Sequence, residues 1–400
     1  MLSVTGAEAI FADLGHFGSG PIRRAWFAVV FPALLLNYAG QAAIVIHAPE
    51  VEHPFYALVP EPLVYPAILL ATAAAILASQ AVLAGAFSLT RQATQLGFLP
   101  RVRIVHTSPH QRGQIYVPAV NWALGAACIG AVLLFRGSAG LAAAYGVAVT
   151  ATMAITSVLF ALVARQHLGW PFLSVVPLVA VFLVVDLGYF AANLLKVPEG
   201  GWLPILVAVV LVLVMLTWWE GRRILAVEVA KRSIPIDVFV ERLRSAGPIR
   251  LRGAAVFLSS HPSGVPPSLL HHFGHLGVLP ERLVFFTAIA TDQPFVPRAR
   301  RVDVQDLGEG IYRVLAHYGF RQSPDAPDAL RLARAQGLPV EPEGLRYFLG
   351  RETLLPTGKA RLARWRKHLF LLLARNAERA ASYFRIPAEQ VVELGMEIEI

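Results

Sequence analysis

The chain has 400 residues, of which 56% are hydrophobic and only 15% charged, and its formal net charge is +9. A soluble domain usually has about a quarter of its residues charged, so this composition excludes a chain that is soluble throughout and predicts long membrane-buried stretches. One cysteine, Cys128, excludes an intrachain disulfide framework.

In chain order, residues 1–14, within "VTGAEAIFADLGHFG" (4–18), read as the latter part of a membrane span cut short. No basic n-region or small-residue cleavage site follows Met1, so no signal peptide is expected. Six further runs reach the roughly 20 residues needed to cross a hydrocarbon core about 30 Å thick: 25–46, 63–89, 117–135, 140–163, 172–195 and 201–219. Residues 1–219 are therefore read as the transmembrane region. Basic residues alternate across the connections. Arg23, Arg24, Arg91, Arg101, Arg103, Arg112, Arg165, Arg222 and Arg223 fall on one side, and only Arg136 and Lys196 on the other. This positive-inside pattern puts the loop 90–116 and everything after 219 in the cytoplasm, with 47–62 outside. It predicts a multi-pass protein of the cytoplasmic membrane. Trp218 and Trp219 fall at the inner boundary, where amphipathic rings prefer to sit. Pro32, Pro66, Pro177 and Pro204, and small-residue stretches such as "ATAAAILAS", read as helix-packing devices.

From residue 220 to 400 charge returns at ordinary density, and strand and helix patterns alternate. "LRGAAVFLSS" (251–260) and "RLVFFTAIA" (282–290) read as buried strands, with "PPSLLHHFGHLG" as a short helix between them. A hairpin is expected around Gly308–Gly310. A helix "DALRLARAQG" ending at a glycine follows, then a strand "LRYFLGRETLL". One long helix through "KARLARWRKHLFLLLARNAERAASYF" and a last strand in "QVVELGMEIEI" complete the region. The mixture predicts a cytoplasmic α/β domain. From residue 224 onward there are 24 basic and 18 acidic residues, an excess that an anionic membrane leaflet attracts. No zinc-finger, RNP or helix-turn-helix signature accompanies it, so nucleic acid is not an expected partner.

Several tempting motifs fail. "PTGKA" (356–360) lacks the glycine a phosphate loop needs, because that position is Thr353. His271, His272 and His275 have helical spacing, but nothing completes a four-ligand metal set, and an exposed helix face is the expected reading. No nucleophile elbow or Ser-His-Asp arrangement is present. No enzyme, no cofactor and no resident metal are expected.

Two acids lie well inside apolar segments, Glu8 and Asp186, with Asp13 nearer a membrane edge. A charge at the bilayer centre costs a few kcal/mol even on the mildest scale, so such residues usually face a cavity or a partner. Glu8 is read either as an ion- or proton-handling group or as the partner of an arginine or of a backbone break. Asp186 is read as the same, or as a group that holds its helix to a polar neighbour. Thr5 and Gly6 precede Glu8 where a helix can unwind and offer oxygens to a cation. Tyr145 and Thr150 place two more hydroxyls in a small-residue span.

"VTGAEAIFADLGHFG", "SLTRQATQLGFLPRVRIVHTS", "GQIYVPAVNW", "LAAAYGVAVTATM" and "GGWLP" resemble the Kup potassium uptake proteins, the bacterial members of the KUP/HAK/KT family. The resemblance runs through the closing "ELGMEIEI". It implies a polytopic α-helical transporter in the lipid bilayer that brings potassium into the cell as a K+/H+ symporter, so potassium ion and proton are its expected partners. It further implies a LeuT-like core of the amino acid-polyamine-organocation type, with two inverted five-helix repeats. Of that core this chain would hold the second inverted repeat plus two helices. The C-terminal domain resembles a nucleotide-binding universal-stress fold. Some relatives are inhibited there by a cyclic dinucleotide, and a homodimer is compatible with the pattern. Glu8 matches the acid of the family's "TGAE" segment, an expected ion- or proton-coupling residue, with Thr5 and Gly6 in the same broken helix. Asp186 matches an acid of the eleventh span, and Tyr145 stands beside them as a candidate. Family members carry twelve spans, and this chain has the equivalent of a partial sixth through the twelfth, so a truncated portion of a longer protein is expected. Two other readings stay open: a membrane-anchored regulatory or ligand-binding module, and a transporter of a different solute such as an amino acid.

Overall fold

The computed structural model describes residues 18–399 apart from 49, 52, 107–114, 232, 260–263, 292, 320, 321, 342, 343, 356 and 358–361. The predicted site residues Thr5, Gly6 and Glu8, together with Asp13, lie outside the described residues, as do Gly358 and Lys359 of "PTGKA". The chain divides into two compact units: Met1–Leu89 with Ile104–Val209, and Thr90–Arg103 with Val210–Ile400.

Six helical stretches are long and apolar enough to cross a membrane. They contain helices α1 (Ser19–His47), α2 (Val64–Gln95), α3 (Pro118–Phe135), α4 (Ser138–Gln166), α5 (Phe172–Leu194) and α6 (Trp202–Lys231). Several run past the apolar core that the sequence marks, because polar residues at their ends continue the backbone ladder outside hydrocarbon. In α1 the turn Trp26–Val30 is π-helical, and the Phe31 N–H donates to the Trp26 carbonyl. Pro32, which follows, has no N–H to give, and the ladder widens ahead of it. Between α2 and α3, Val105–His106 (β1) pairs antiparallel with Ile115–Tyr116 (β2). Hydroxyls on the outer faces are satisfied within their own helices. Thr72 donates to the Ile68 carbonyl (2.8 Å), Thr152 to Ala148 (2.9 Å) and Thr156 to Thr152 (2.8 Å). An apolar surrounding requires this, because it offers a free hydroxyl no partner.

The second unit is built on a six-stranded sheet. After helix α7 (Ile236–Ala246) come β3 (Ile249–Leu258), helix α8 (Pro267–Leu276), β4 (Val278–Thr291), β5 (Val302–Gly308) and β6 (Ile311–Gly319). Helix α9 (Ala326–Ala335), β7 (Arg346–Leu355), helix α10 (Arg364–Arg375), the short helix α11 (Ala380–Tyr383) and β8 (Val391–Glu399) complete it. The strand order is β5-β6-β4-β3-β7-β8, parallel except for β5 against β6. The order therefore reverses between β3 and β7, as in doubly wound folds. The interior strands carry apolar residues on both faces, and both faces are covered. Phe257, Leu283, Phe285 and Ile311 pack with Phe239 and Leu243 of α7 and Leu269 of α8. Val256, Val284, Val314 and Tyr347 pack with Ala329, Leu330 and Ala333 of α9. The expected hairpin turns at Gly308 and Gly310.

A third apolar cluster joins the end of α6 to this sheet: Trp218, Leu225 and Val229 meet Phe370 and Leu371 of α10 and Ile398 of β8. The segment Thr90–Arg103 docks in the same unit. Gln95 Nε2 donates to the Gln322 carbonyl (2.5 Å), the Glu378 N–H donates to the Arg101 carbonyl (2.7 Å), and the Arg101 guanidinium lies over the Tyr383 ring (5.5 Å). Burial lowers the Arg101 pKa and raises those of the Glu378 carboxyl and the Tyr383 phenol. The single long helix expected after residue 358 is corrected here to two, α10 and α11. The Glu378 N–H bonds across to Arg101 instead of continuing the helical ladder.

Candidate functional site

Helices α4 and α5 pack against each other along their length. Buried residues in α4 include Val147, Thr150, Ser157 and Ala164, and those in α5 are Val175, Val179, Asp186 and Asn193. In each helix the last three of these recur every seven residues, the spacing that keeps one stripe against a partner helix. Asp186 and Ser157 occupy corresponding places on the two stripes. The Ser157 hydroxyl donates to Asp186 Oδ2 at 2.5 Å, and the two residues are 5% and 9% exposed. Asp186 lies eight residues from the end of α5, about 12 Å along its axis. Among the described residues it makes no ion pair. A carboxylate in hydrocarbon needs a donor, and here a hydroxyl on the facing helix supplies one.

Two turns further along this seam, Asn193 Nδ2 donates to the Tyr189 carbonyl (2.8 Å). Gly146 lies so close to it that a Cβ there would strike Asn193 Oδ1. Thr150 is fully buried, and its hydroxyl is spent on the Gly146 and Val147 carbonyls (2.8 and 3.3 Å). Tyr145 is 41% exposed and precedes Ser157 by twelve residues, about 18 Å along α4. The structure therefore brings Asp186 to Ser157 and leaves Tyr145 apart from both. Gly200 and Gly201 of "GGWLP" are buried in the turn before α6. Ser157 and Asn193 were not singled out from the sequence. The seven-residue spacings 150–157–164 and 179–186–193 were the signal that could have found them.

In the α/β unit, His271 and His275 meet edge to face (4.4 Å between ring centres), while His272 lies against the Phe257 and Phe348 rings. Burial lowers the His272 pKa. The three rings do not converge. Among the described residues no group of three His, Cys, Asp or Glu side chains is placed to hold a metal ion.

Six helices long and apolar enough to cross a membrane, a buried carboxylate in one helix seam and an α/β domain after the last of them define a multi-pass membrane protein. Residues 1–223 match the K+ potassium transporter integral membrane domain, and residues 252–400 match the K+ potassium transporter C-terminal domain. The chain belongs to this K+ transporter family, whose members are transporters and not enzymes. It is 51% identical over 400 residues to a probable potassium transport system protein Kup 1 of Syntrophobacter fumaroxidans, covering all of this chain and 60% of that protein. It is 48% identical over 406 residues to a probable Kup protein of Anaeromyxobacter dehalogenans strain 2CP-C, covering 61% of it. A probable Kup protein of Myxococcus xanthus is 47% identical over 400 residues, again with 61% covered. The chain thus spans about 60% of the length of the relatives it matches. No solved structure matches it.

Proposed function

We propose that the chain works in potassium uptake across the cytoplasmic membrane, as a portion of a K+/H+ symporter. Its relatives' names as potassium transport proteins carry the substrate. The observation that supports an ion-handling role within this chain is Asp186, a nearly buried acid in a membrane seam that accepts a hydrogen bond from the neutral Ser157 hydroxyl. Glu8, with Thr5 and Gly6, is proposed as the ion- or proton-coupling group, with Tyr145 and Asp186 as further candidates, on the strength of the resemblance. The nine-to-two arginine and lysine asymmetry supports a cytoplasmic α/β domain, with its boundary near residue 220.

The regulatory reading belongs to the same proposal. Strand order reverses between β3 and β7, and such reversals are where doubly wound sheets take ligands. A cyclic dinucleotide is proposed there by resemblance. Pairing of two copies rests on the resemblance alone and is tested by light scattering of the purified protein. The transport reading is tested by rubidium uptake in potassium-starved cells that lack their own uptake systems and express the gene product in its genomic frame. Uptake that collapses with a protonophore and in Glu8→Gln is the expected result. Unchanged uptake in that variant removes Glu8 from the mechanism, and no uptake by the wild type leaves the α/β domain as the functional part.

A further inference from the structure

Helix α10 turns one face to the protein and leaves the other open. Lys367, Phe370 and Leu371 are buried. At 100° per residue, Arg364, Trp365, His368, Leu372 and Arg375 all fall within one arc of about 100° beside the buried one, and all five are exposed. Trp365 is 55% exposed and Leu372 58%. Among the described residues no carboxylate lies within 4 Å of Arg364, His368 or Arg375. The stripe therefore combines uncompensated bases with an indole and a leucine.

Arg366 fixes where this stripe begins relative to the bilayer. Its Nε donates to Thr217 Oγ1 at 3.0 Å, and its Nη1 pairs with Glu220 at 2.7 Å. One turn later Phe370 packs on the Trp218 ring, with 5.3 Å between centres. Thr217 closes the long apolar run of α6, and Trp218–Trp219–Glu220 follow it directly. A tryptophan pair followed by charge is what a membrane helix shows where hydrocarbon gives way to headgroups. The bonds from Arg366 thus hold the first turn of α10 at that level. Arg366 itself is neutralised by Glu220 and adds nothing to the uncompensated charge.

We infer that the first turn of α10, with Arg364, Trp365 and His368, is a membrane-surface contact that takes anionic lipid headgroups. The guanidinium of Arg364 matches a lipid phosphate in charge and fork geometry. The Trp365 ring has the apolar body and N–H that settle at the glycerol level. Leu372 and Arg375 continue the stripe. The inference needs α6 to cross the membrane and is independent of what the protein carries.

The test uses the protein in nanodiscs of neutral lipid, with and without phosphatidylglycerol. A fluorophore is placed at Ala363→Cys, an exposed position beside the turn, in a Cys128→Ser background. Headgroup-spin-labelled lipid is expected to quench it, iodide is expected to be excluded, and both effects should grow with phosphatidylglycerol. Arg364→Gln is expected to lower the preference for anionic over neutral lipid about fivefold. Because Arg364 is exposed, the melting temperature should not move. Equal access of iodide in the two lipid compositions overturns the inference. So does retention of phosphatidylglycerol, counted by native mass spectrometry, that is the same in wild type and in Arg364→Gln.

Discussion

The contact between Gly221 of α6 and Phe370 of α10 gives the sharpest test of how the α/β domain is fastened to the last span. Phe370 is 1% exposed, and a Cβ built on Gly221 would run into the Cγ, Cδ2 and Cε2 atoms of its ring. The ring also packs on Trp218, with 5.3 Å between centres, and its burial leaves it little room to retreat. Gly221→Ala adds one methyl to this contact, and overpacking of that kind costs about 1–3 kcal/mol. Helix propensity returns about 1 kcal/mol of it, since alanine is favoured over glycine inside a helix. Phe370→Ala alone empties the site and should cost about 3–5 kcal/mol. In the double variant the methyl enters vacated space, so the Gly221→Ala step should turn from unfavourable to neutral or mildly stabilising. The coupling between the two changes should reach about 2 kcal/mol. Thermal unfolding of the detergent-solubilised protein in a double-mutant cycle measures it. Additive effects in the cycle would refute the reasoning.

Ser157→Ala removes the donor facing Asp186 and should destabilise the membrane helices by about 1–3 kcal/mol. Asp186→Asn keeps an acceptor for Ser157 and should melt close to wild type; if it loses rubidium uptake all the same, the acid acts in transport as well as in packing. Glu378 gives a pH dependence. Burial raises its carboxyl pKa, against the pull of Arg101 and Arg103, so the docked form holds the proton more tightly. Its contribution to docking is complete below the ordinary value of 4.5 and is lost as pH rises through the raised one. Protection of the Glu378 amide from hydrogen exchange, corrected for intrinsic rates, should be greater near that pH than at about pH 7, and Glu378→Gln should flatten the difference. Equal protection at both pH values would contradict it. The Tyr318 hydroxyl donates to the Asp325 carbonyl (2.8 Å) and accepts from the Asp325 N–H (3.1 Å), and burial pushes its pKa up to about 12. Tyr318→Phe leaves the Asp325 N–H without its acceptor at the start of α9, while the Asp325 carbonyl keeps the Ala329 N–H (3.1 Å); the cost is about 1–3 kcal/mol, read as a lower midpoint in urea.

The helical spans were legible because an apolar run of about 20 residues has few other uses. The hairpin was legible because one glycine, Gly308, precedes the two-residue turn Glu309–Gly310 and the other ends it. What escaped the sequence was decided at long range. The residues "NAER" (376–379) suit a helix, and α10 stops at Arg375 because the Glu378 N–H finds a carbonyl at Arg101. Helix α7, only a few residues beyond the end of α6, was not anticipated. In the seam of α4 and α5, Asp186 stood out by its charge alone. Its partner did not, since Ser157 is one of many small residues in its span and only the facing helix gives it a task.

The cluster that joins Trp218 and Leu225 to Ile398 has a consequence for synthesis. About 170 residues separate Leu225 from Ile398, so at 5–20 residues per second the ribosome needs roughly ten to thirty seconds to deliver the last of the cover. Throughout that interval the newly made end of α6 shows water an oily flank. A nascent chain that stalls before β8 would keep that flank bare, which makes completion of the final strand the step that separates a finished molecule from a target for chaperones and proteases.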